Sequence, residues 1–169
     1  MVSVLDSRSI PGIRPQGCEM NEDKRYLSWS AHEKGVIAIA QAIEHHSEDL
    51  DYVIGIARGG LPGATILSHA LDLPFAAVEA DYYDGEERNE TVEVGEFTEI
   101  PTGNVVIFDD IVDTGETMAA IKSIVEGLTG DKSEVITAAL NVKPDREFDP
   151  DYWVEETDAW VVYPWEVSL

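Results

Sequence analysis

Residues 105–117 read Val-Val-Ile-Phe-Asp-Asp-Ile-Val-Asp-Thr-Gly-Glu-Thr, and no other stretch narrows the possible folds as far. Residues 104–108 read as a strand, apolar without a break from Val105 on. A strand apolar on both faces must be covered on both sides, which points to the interior of a parallel sheet rather than to a half-solvated antiparallel one. Residues 109–116 then read as a polar loop. Residues 117–128 read as a helix with Met118, Ile121, Ile124 and Val125 inward.

The same alternation recurs along the 169 residues. Ser30-Ala31-His32-Glu33 has the spacing of a capping box, and Val36, Ile37, Ile39, Ala40 and Ile43 follow on one helical face. Residues 52–56 read as a strand ending in a glycine turn, and Pro62 opens a helix through Leu71. Further strands are expected at 74–78 and 134–142, and short aromatic-rich strands at 152–165. Residues 81–99 are too long and acidic for a simple turn and read as a flap. Residues 1–26 lack periodicity and contain prolines, so they are expected to be a flexible N-terminal tail ahead of one domain at 27–169. The fold class is therefore α/β: a twisted, mainly parallel sheet with helices on both faces, binding ligands at the carboxyl ends of its strands.

Charge excludes several partners. The 34 acidic residues outnumber the 11 Lys and Arg, for a formal net charge of −23. A surface of this sign repels nucleic acid and anionic membranes, whose binding rests on Lys and Arg. A folded acidic protein of this kind suits a salt-rich cytosol, where ions screen self-repulsion, so a cytoplasmic, halophilic protein is expected. No apolar run is long enough to span a bilayer. The single cysteine, Cys18, allows neither an internal disulfide nor a cysteine-cluster zinc site. His32, His45, His46 and His69 show no metal-ligand spacing.

Two segments suit a phosphorylated sugar. Asp109 and Asp110 at a strand end can accept hydrogen bonds from ribose hydroxyls, directly or through Mg2+, whose oxygen preference they match. The turn Thr114-Gly115-Glu116-Thr117 presents backbone N–H groups and hydroxyls at a helix N-terminus, a site for a phosphate dianion. Taken singly, the aspartates could line a solvated loop and the turn could be an ordinary cap. A second strand-to-helix loop, Ala57-Arg58-Gly59-Gly60, combines a cation with glycines that let the backbone approach an anion.

The joined segment at 105–117 closely resembles the signature of the type I phosphoribosyltransferases. Asn141-Val142-Lys143-Pro144 and the stretch from Asp158 through Trp165 to Glu166 resemble the xanthine-guanine and hypoxanthine-guanine members, as does Leu27-Ser28-Trp29. The resemblance implies the fold of that family with a small base-binding hood, and transfer of phosphoribose from 5-phosphoribosyl 1-diphosphate (PRPP) to a 6-oxopurine in purine salvage. It implies that Asp109 and Asp110 hold Mg2+ and ribose, and that Ala57, Arg58, Gly59 and Gly60 meet the diphosphate, often through an unusual peptide bond. Asp113, Thr114, Gly115, Glu116 and Thr117 complete the PRPP site, with Asp113 as general base. Lys143, Trp160 and Val161 would read the base, although Lys143 could be a surface cation and Trp160 a core aromatic. A dimer or tetramer is expected. The flap departs from the family, carrying Arg88 among many acids. Competing readings are a phosphoribosyltransferase for adenine, uracil or orotate, and a non-catalytic PRPP-binding regulatory protein.

Overall fold

In the computed structural model, which describes residues 8–9, 19–21, 24–46, 49–84 and 87–166, the chain alternates strand and helix as its apolar pattern requires. The elements are β1 (Arg8–Ser9), β2 (Glu19–Asn21), β3 (Lys24–Tyr26), α1 (Trp29–His46), β4 (Tyr52–Ala57), α2 (Gly60–Leu71), β5 (Phe75–Asp84) and β6 (Glu87–Phe97). They continue with β7 (Val105–Val112), α3 (Glu116–Thr129), β8 (Val135–Val142), β9 (Tyr152–Glu156) and β10 (Trp160–Val162). Seven strands make one sheet in the order β1-β9-β8-β7-β4-β5-β6. Every pairing in it is parallel except β5 with β6. A second sheet, β10-β3-β2, forms a hood.

The two faces of the sheet carry separate cores. Val53, Val106, Phe108, Ala138 and Leu140 join Val36, Ile39, Ile43 and Leu67 of α1 and α2. On the other face Ile54, Val105, Ile107 and Ala139 join Met118, Ile121 and Val125 of α3. Neighbouring positions on β7 thus point to opposite cores, and burial on both sides is why Val105–Phe108 is unbroken by polar residues. Ile124 departs from its expected inward place; it is 39% exposed, because the stripe of α3 that meets the sheet is narrower than the apolar pattern.

Three boundaries differ from the sequence reading. The cap of α1 is Ser28, whose Oγ accepts the Ala31 N–H at 3.2 Å, so Ser30 lies inside the first turn. β7 runs on through Val112, which puts Asp109 and Asp110 in strand rather than loop. Residues 81–99, expected as a flap, mostly belong to the β5–β6 hairpin; the side chains of 81–91, with Arg88, lie outside the described residues. Order also begins ahead of Leu27, since Lys24–Tyr26 pairs with both β10 and β2, and Arg8–Ser9 pairs with β9.

From β4 the chain moves through α2 to β5 on one side, yet β7 lies on the other side of β4. Such a reversal opens a crevice at the carboxyl ends of the two strands. The loops after β4 and β7 are residues 58–59 and 113–115.

Candidate functional site

The two loops close on each other through glycine. A Cβ on Gly59 would collide with the Asp110 carboxylate, and one on Gly60 would stand 2.7 Å from the Phe108 carbonyl oxygen and 3.1 Å from Asp109 Oδ1. Only a residue without a side chain lets the first loop lie this close to the end of β7. The peptide between Ala57 and Arg58 is cis, the unusual bond anticipated for this loop. Arg58 is exposed.

Asp110 is buried at 9% exposure and Asp109 is half-buried. Burial raises the Asp109 carboxyl well above the usual range, and the charge of Asp110 adds to it. Burial raises Asp110 to about 6, opposed by hydrogen bonds from Asp109 and from the Ile111 N–H. Two adjacent buried carboxyls resist carrying two charges unless a cation joins them. Among the described residues no group of three or more His, Cys, Asp or Glu could hold a metal ion. A pair of carboxylates nonetheless fits Mg2+, which is commonly bound by one or two carboxylates, waters and substrate phosphate oxygens.

The phosphate loop is propped from outside. Gly115, at φ 92°, stands before α3 as its N-cap, and a Cβ there would strike the Cβ of Phe148. The N–H groups of Glu147 and Phe148 donate to the Thr114 carbonyl at 2.9 and 3.3 Å. The Thr114 hydroxyl donates to Glu116 Oε2 at 3.3 Å. Asp113 is exposed immediately after β7, and Thr117 is half-buried.

The loop that props Thr114 begins at Lys143. The Lys143 N–H donates to the Val112 carbonyl at 2.9 Å, next to Asp113. Its ammonium donates to the carbonyls of Asp158 and Ala159 at 3.1 and 2.8 Å. An ammonium has three protons, so one stays available to a ligand. Lys143 therefore tethers the turn that leads into Trp160, whose ring is 65% exposed and is no core aromatic. The side chain of Val161 is buried at 6% in the core, because alternation along β10 turns it away from the side Trp160 faces.

Several residues that hold the site had no assigned role in the sequence reading. Arg146 donates to the Lys143 carbonyl at 2.8 Å, to Asp149 at 2.7 Å and to Glu156 at 2.8 Å, clamping the 143–149 loop. Arg25 of β3 pairs with Glu155 of β9 at 2.7 Å and joins hood to sheet. Trp29, His32, Tyr163 and Trp165 form an aromatic cluster, with His32 edge-on to Trp165 at 4.9 Å and Tyr163 stacked on it at 4.8 Å. His32 is fully buried and neither ring nitrogen has a hydrogen-bond partner. Burial lowers its pKa to about 4. The one available signal was the density of aromatics at 160–165.

A parallel sheet with paired acids at one strand end, a helix-terminal phosphate loop and an aromatic hood defines a class of proteins that handle phosphorylated ribose. Residues 23–169 match the phosphoribosyl transferase domain family, and the chain belongs to that family. It is similar to the xanthine-guanine phosphoribosyltransferase of Nitratidesulfovibrio vulgaris strain DP4, 26% identical over 154 residues that cover 89% of this chain and 82% of the relative. The corresponding enzyme of Idiomarina loihiensis is 27% identical over 150 residues, 85% of this chain and 88% of the relative. Among solved structures, the purine phosphoribosyltransferase of Pyrococcus horikoshii superposes with a TM-score of 0.74 at 34% identity, covering 87% of this chain and 97% of that one. The expected type I fold is thereby borne out.

Proposed function

We propose that this chain transfers the 5-phosphoribosyl group of PRPP to a 6-oxopurine (guanine, xanthine or hypoxanthine) and releases diphosphate. The observation that carries the reading is the double attachment of Lys143. Its backbone is bonded beside Asp113 and its ammonium beside the exposed Trp160, so a cationic donor, an aromatic face and a carboxylate converge at one end of the crevice. The names of the relatives support the same class of substrate.

In this reaction a purine nitrogen attacks C1 of the phosphoribosyl group, and the bond from C1 to the diphosphate breaks with its electrons leaving on oxygen. Positive charge develops on the ribose. Asp109 and Asp110 hold the ribose hydroxyls beside that charge, and the 113–117 loop holds the 5-phosphate at the N-terminus of α3. The loop at 57–60 receives the diphosphate through its backbone and Arg58. Asp113 accepts the proton that the purine must lose. Asp109 and Asp110 would hold Mg2+, which would supply charge that offsets the diphosphate. Lys143 can only donate, so it accepts a 6-oxo group and opposes the 6-amino group of adenine. The same reading carries a role in purine salvage in a salt-rich cytosol, as a dimer or tetramer.

The test is incubation with labelled PRPP, Mg2+ and a panel of bases in concentrated KCl. Nucleotide should form with guanine, xanthine or hypoxanthine and far less with adenine. The Asp113→Asn enzyme should bind PRPP as before and turn over about 10²–10⁴ times more slowly. No transfer to any base would defeat the assignment, equal use of adenine would defeat the base preference, and an unchanged chemical step would remove Asp113 from its role.

A further inference from the structure

Asp110 lies where β7 has passed the end of its ladder with β4, although β8 still pairs at Ile111 and Val112. The ladder with β4 ends at Phe108, and the ladder with β8 pairs Asp109 and Ile111 but not Asp110. Its backbone groups are satisfied by side chains instead. Asp109 Oδ1 accepts the Asp110 N–H at 2.9 Å, and the Tyr163 hydroxyl donates to the Asp110 carbonyl at 2.9 Å. A strand end left bare inside the protein would otherwise carry the cost of an unmet carbonyl.

The hydroxyl also lies 2.9 Å from Asn141 Oδ1. A phenol has a single proton, and a carbonyl oxygen on each side cannot share it. Both contacts become hydrogen bonds when the Asn141 amide is turned to donate from Nδ2 to the phenol oxygen. The chain of bonds therefore has one direction, from Asn141 at the end of β8, through Tyr163 of the hood, to the carbonyl of Asp110 on β7. Stacking on Trp165 holds the ring in place, and Trp165 is itself backed by His32 and Trp29.

We propose that Tyr163 is a positioning residue for Asp110, its hydroxyl taking the place of the absent strand neighbour and fixing the peptide that carries this carboxylate. The proposal rests on the assignment of Asp110 to ribose and Mg2+ given above. It makes the hood a support for the PRPP half of the site as well as for the base half. No residue of the phosphate loop is needed for it.

Tyr163→Phe tests this directly, since it removes the hydroxyl and keeps the stacked ring. Calorimetry with PRPP and Mg2+ should show binding weakened about tenfold, the order expected when a buried carbonyl loses its donor, while the KM for guanine stays at the wild-type value. Trp165→Leu is the companion variant. It should lower the melting temperature at least as much as Tyr163→Phe yet weaken PRPP binding less, because the hydroxyl is still present. Unaltered PRPP affinity in Tyr163→Phe overturns the proposal, as does equal weakening in both variants, which would make the effect one of hood stability. Wild-type protein that fails to bind PRPP with Mg2+ overturns the assignment of the site together with this inference, whereas wild-type binding with an indifferent Tyr163→Phe overturns the inference alone.

Discussion

The two halves of the crevice are built by opposite means. The half assigned to ribose and phosphate comes from two strand-to-helix loops, the first pressed on the end of β7 at Gly59 and Gly60 and the second on Phe148 at Gly115, so its precision lies in backbone and in side chains that are absent. The base half is assembled from segments near residues 24–32, 141–146 and 158–165, fastened by Lys143, Arg146 and Arg25. A backbone-built half tolerates no added atoms; a side-chain-built half tolerates no lost ones.

The sharpest test of that contrast is Gly59→Ala, which adds one methyl group against the Asp110 carboxylate, with Asp110 Cγ 2.6 Å from the new atom. Displacement of a catalytic constellation by about 1 Å can cost roughly 10²-fold, and kcat/KM with PRPP varied should fall by that order while the KM for guanine moves little. Activity close to wild type would mean that the loops part easily and that the contrast is false.

Removing atoms from the other half should act through base choice. Lys143→Ala deletes both the donor and the tether of the 158–159 turn, so efficiency with guanine or xanthine should fall about 10- to 100-fold, the range for a lost charged hydrogen bond. Adenine should lose far less. Trp160→Ala should weaken all purines alike, by about tenfold for a lost stacking face. Steady-state kinetics with each base separates the two, and an unaltered preference in Lys143→Ala would take Lys143 out of base recognition.

The smallest effect is one of stability. His32 is held neutral with its pKa near 4 against an ordinary 6.5. Between these values the unfolded chain binds the proton and the folded one does not, so the contribution of His32 is present above pH 6.5 and is lost as pH falls toward 4. The loss is about 3 kcal/mol at most. Asp109 and Asp110, raised by burial, act in the opposite direction, so the readout is a difference. Denaturant unfolding of wild type and His32→Phe should diverge as pH falls from 6.5 to 4, with the variant less acid-sensitive. Parallel curves would show that His32 takes up its proton without cost.

The pattern of legibility follows the same division. The strand through Phe108, the acids after it and the Thr-Gly turn could be read as candidates from sequence because chemistry and spacing sit in one run, whereas the strand's extension to Val112 could not. Lys143 and Trp160 were identifiable as candidates, but their attachment was not, since Lys143 reaches carbonyls 15 and 16 residues away and a carbonyl leaves no mark in a sequence. Tyr163 was hidden for the same reason: its partner is the backbone of Asp110. The displaced helix start has a local cause, because Ser28 and Ser30 both offer a capping hydroxyl and tertiary packing of Leu27 and Trp29 decides between them. The β5–β6 hairpin escaped notice because its acidic residues resemble a loop in composition, while its backbone pairing with β5 depends on an edge the sequence does not display.

The segment from Lys143 to Asp149 is a wall shared by two rooms. At one end it bears the lysine offered to the base, at the other it carries Glu147 and Phe148 against Thr114 and Gly115, and Arg146 locks its middle. A lineage that altered this segment to admit a different base would shift the cradle of the phosphate at the same time, and so would lose its grip on every substrate it has. The strand that carries Trp160 is joined to β3 instead. Changes of diet in such an enzyme should therefore accumulate at 160–162 and around 24–29, while 143–149 stays fixed through them.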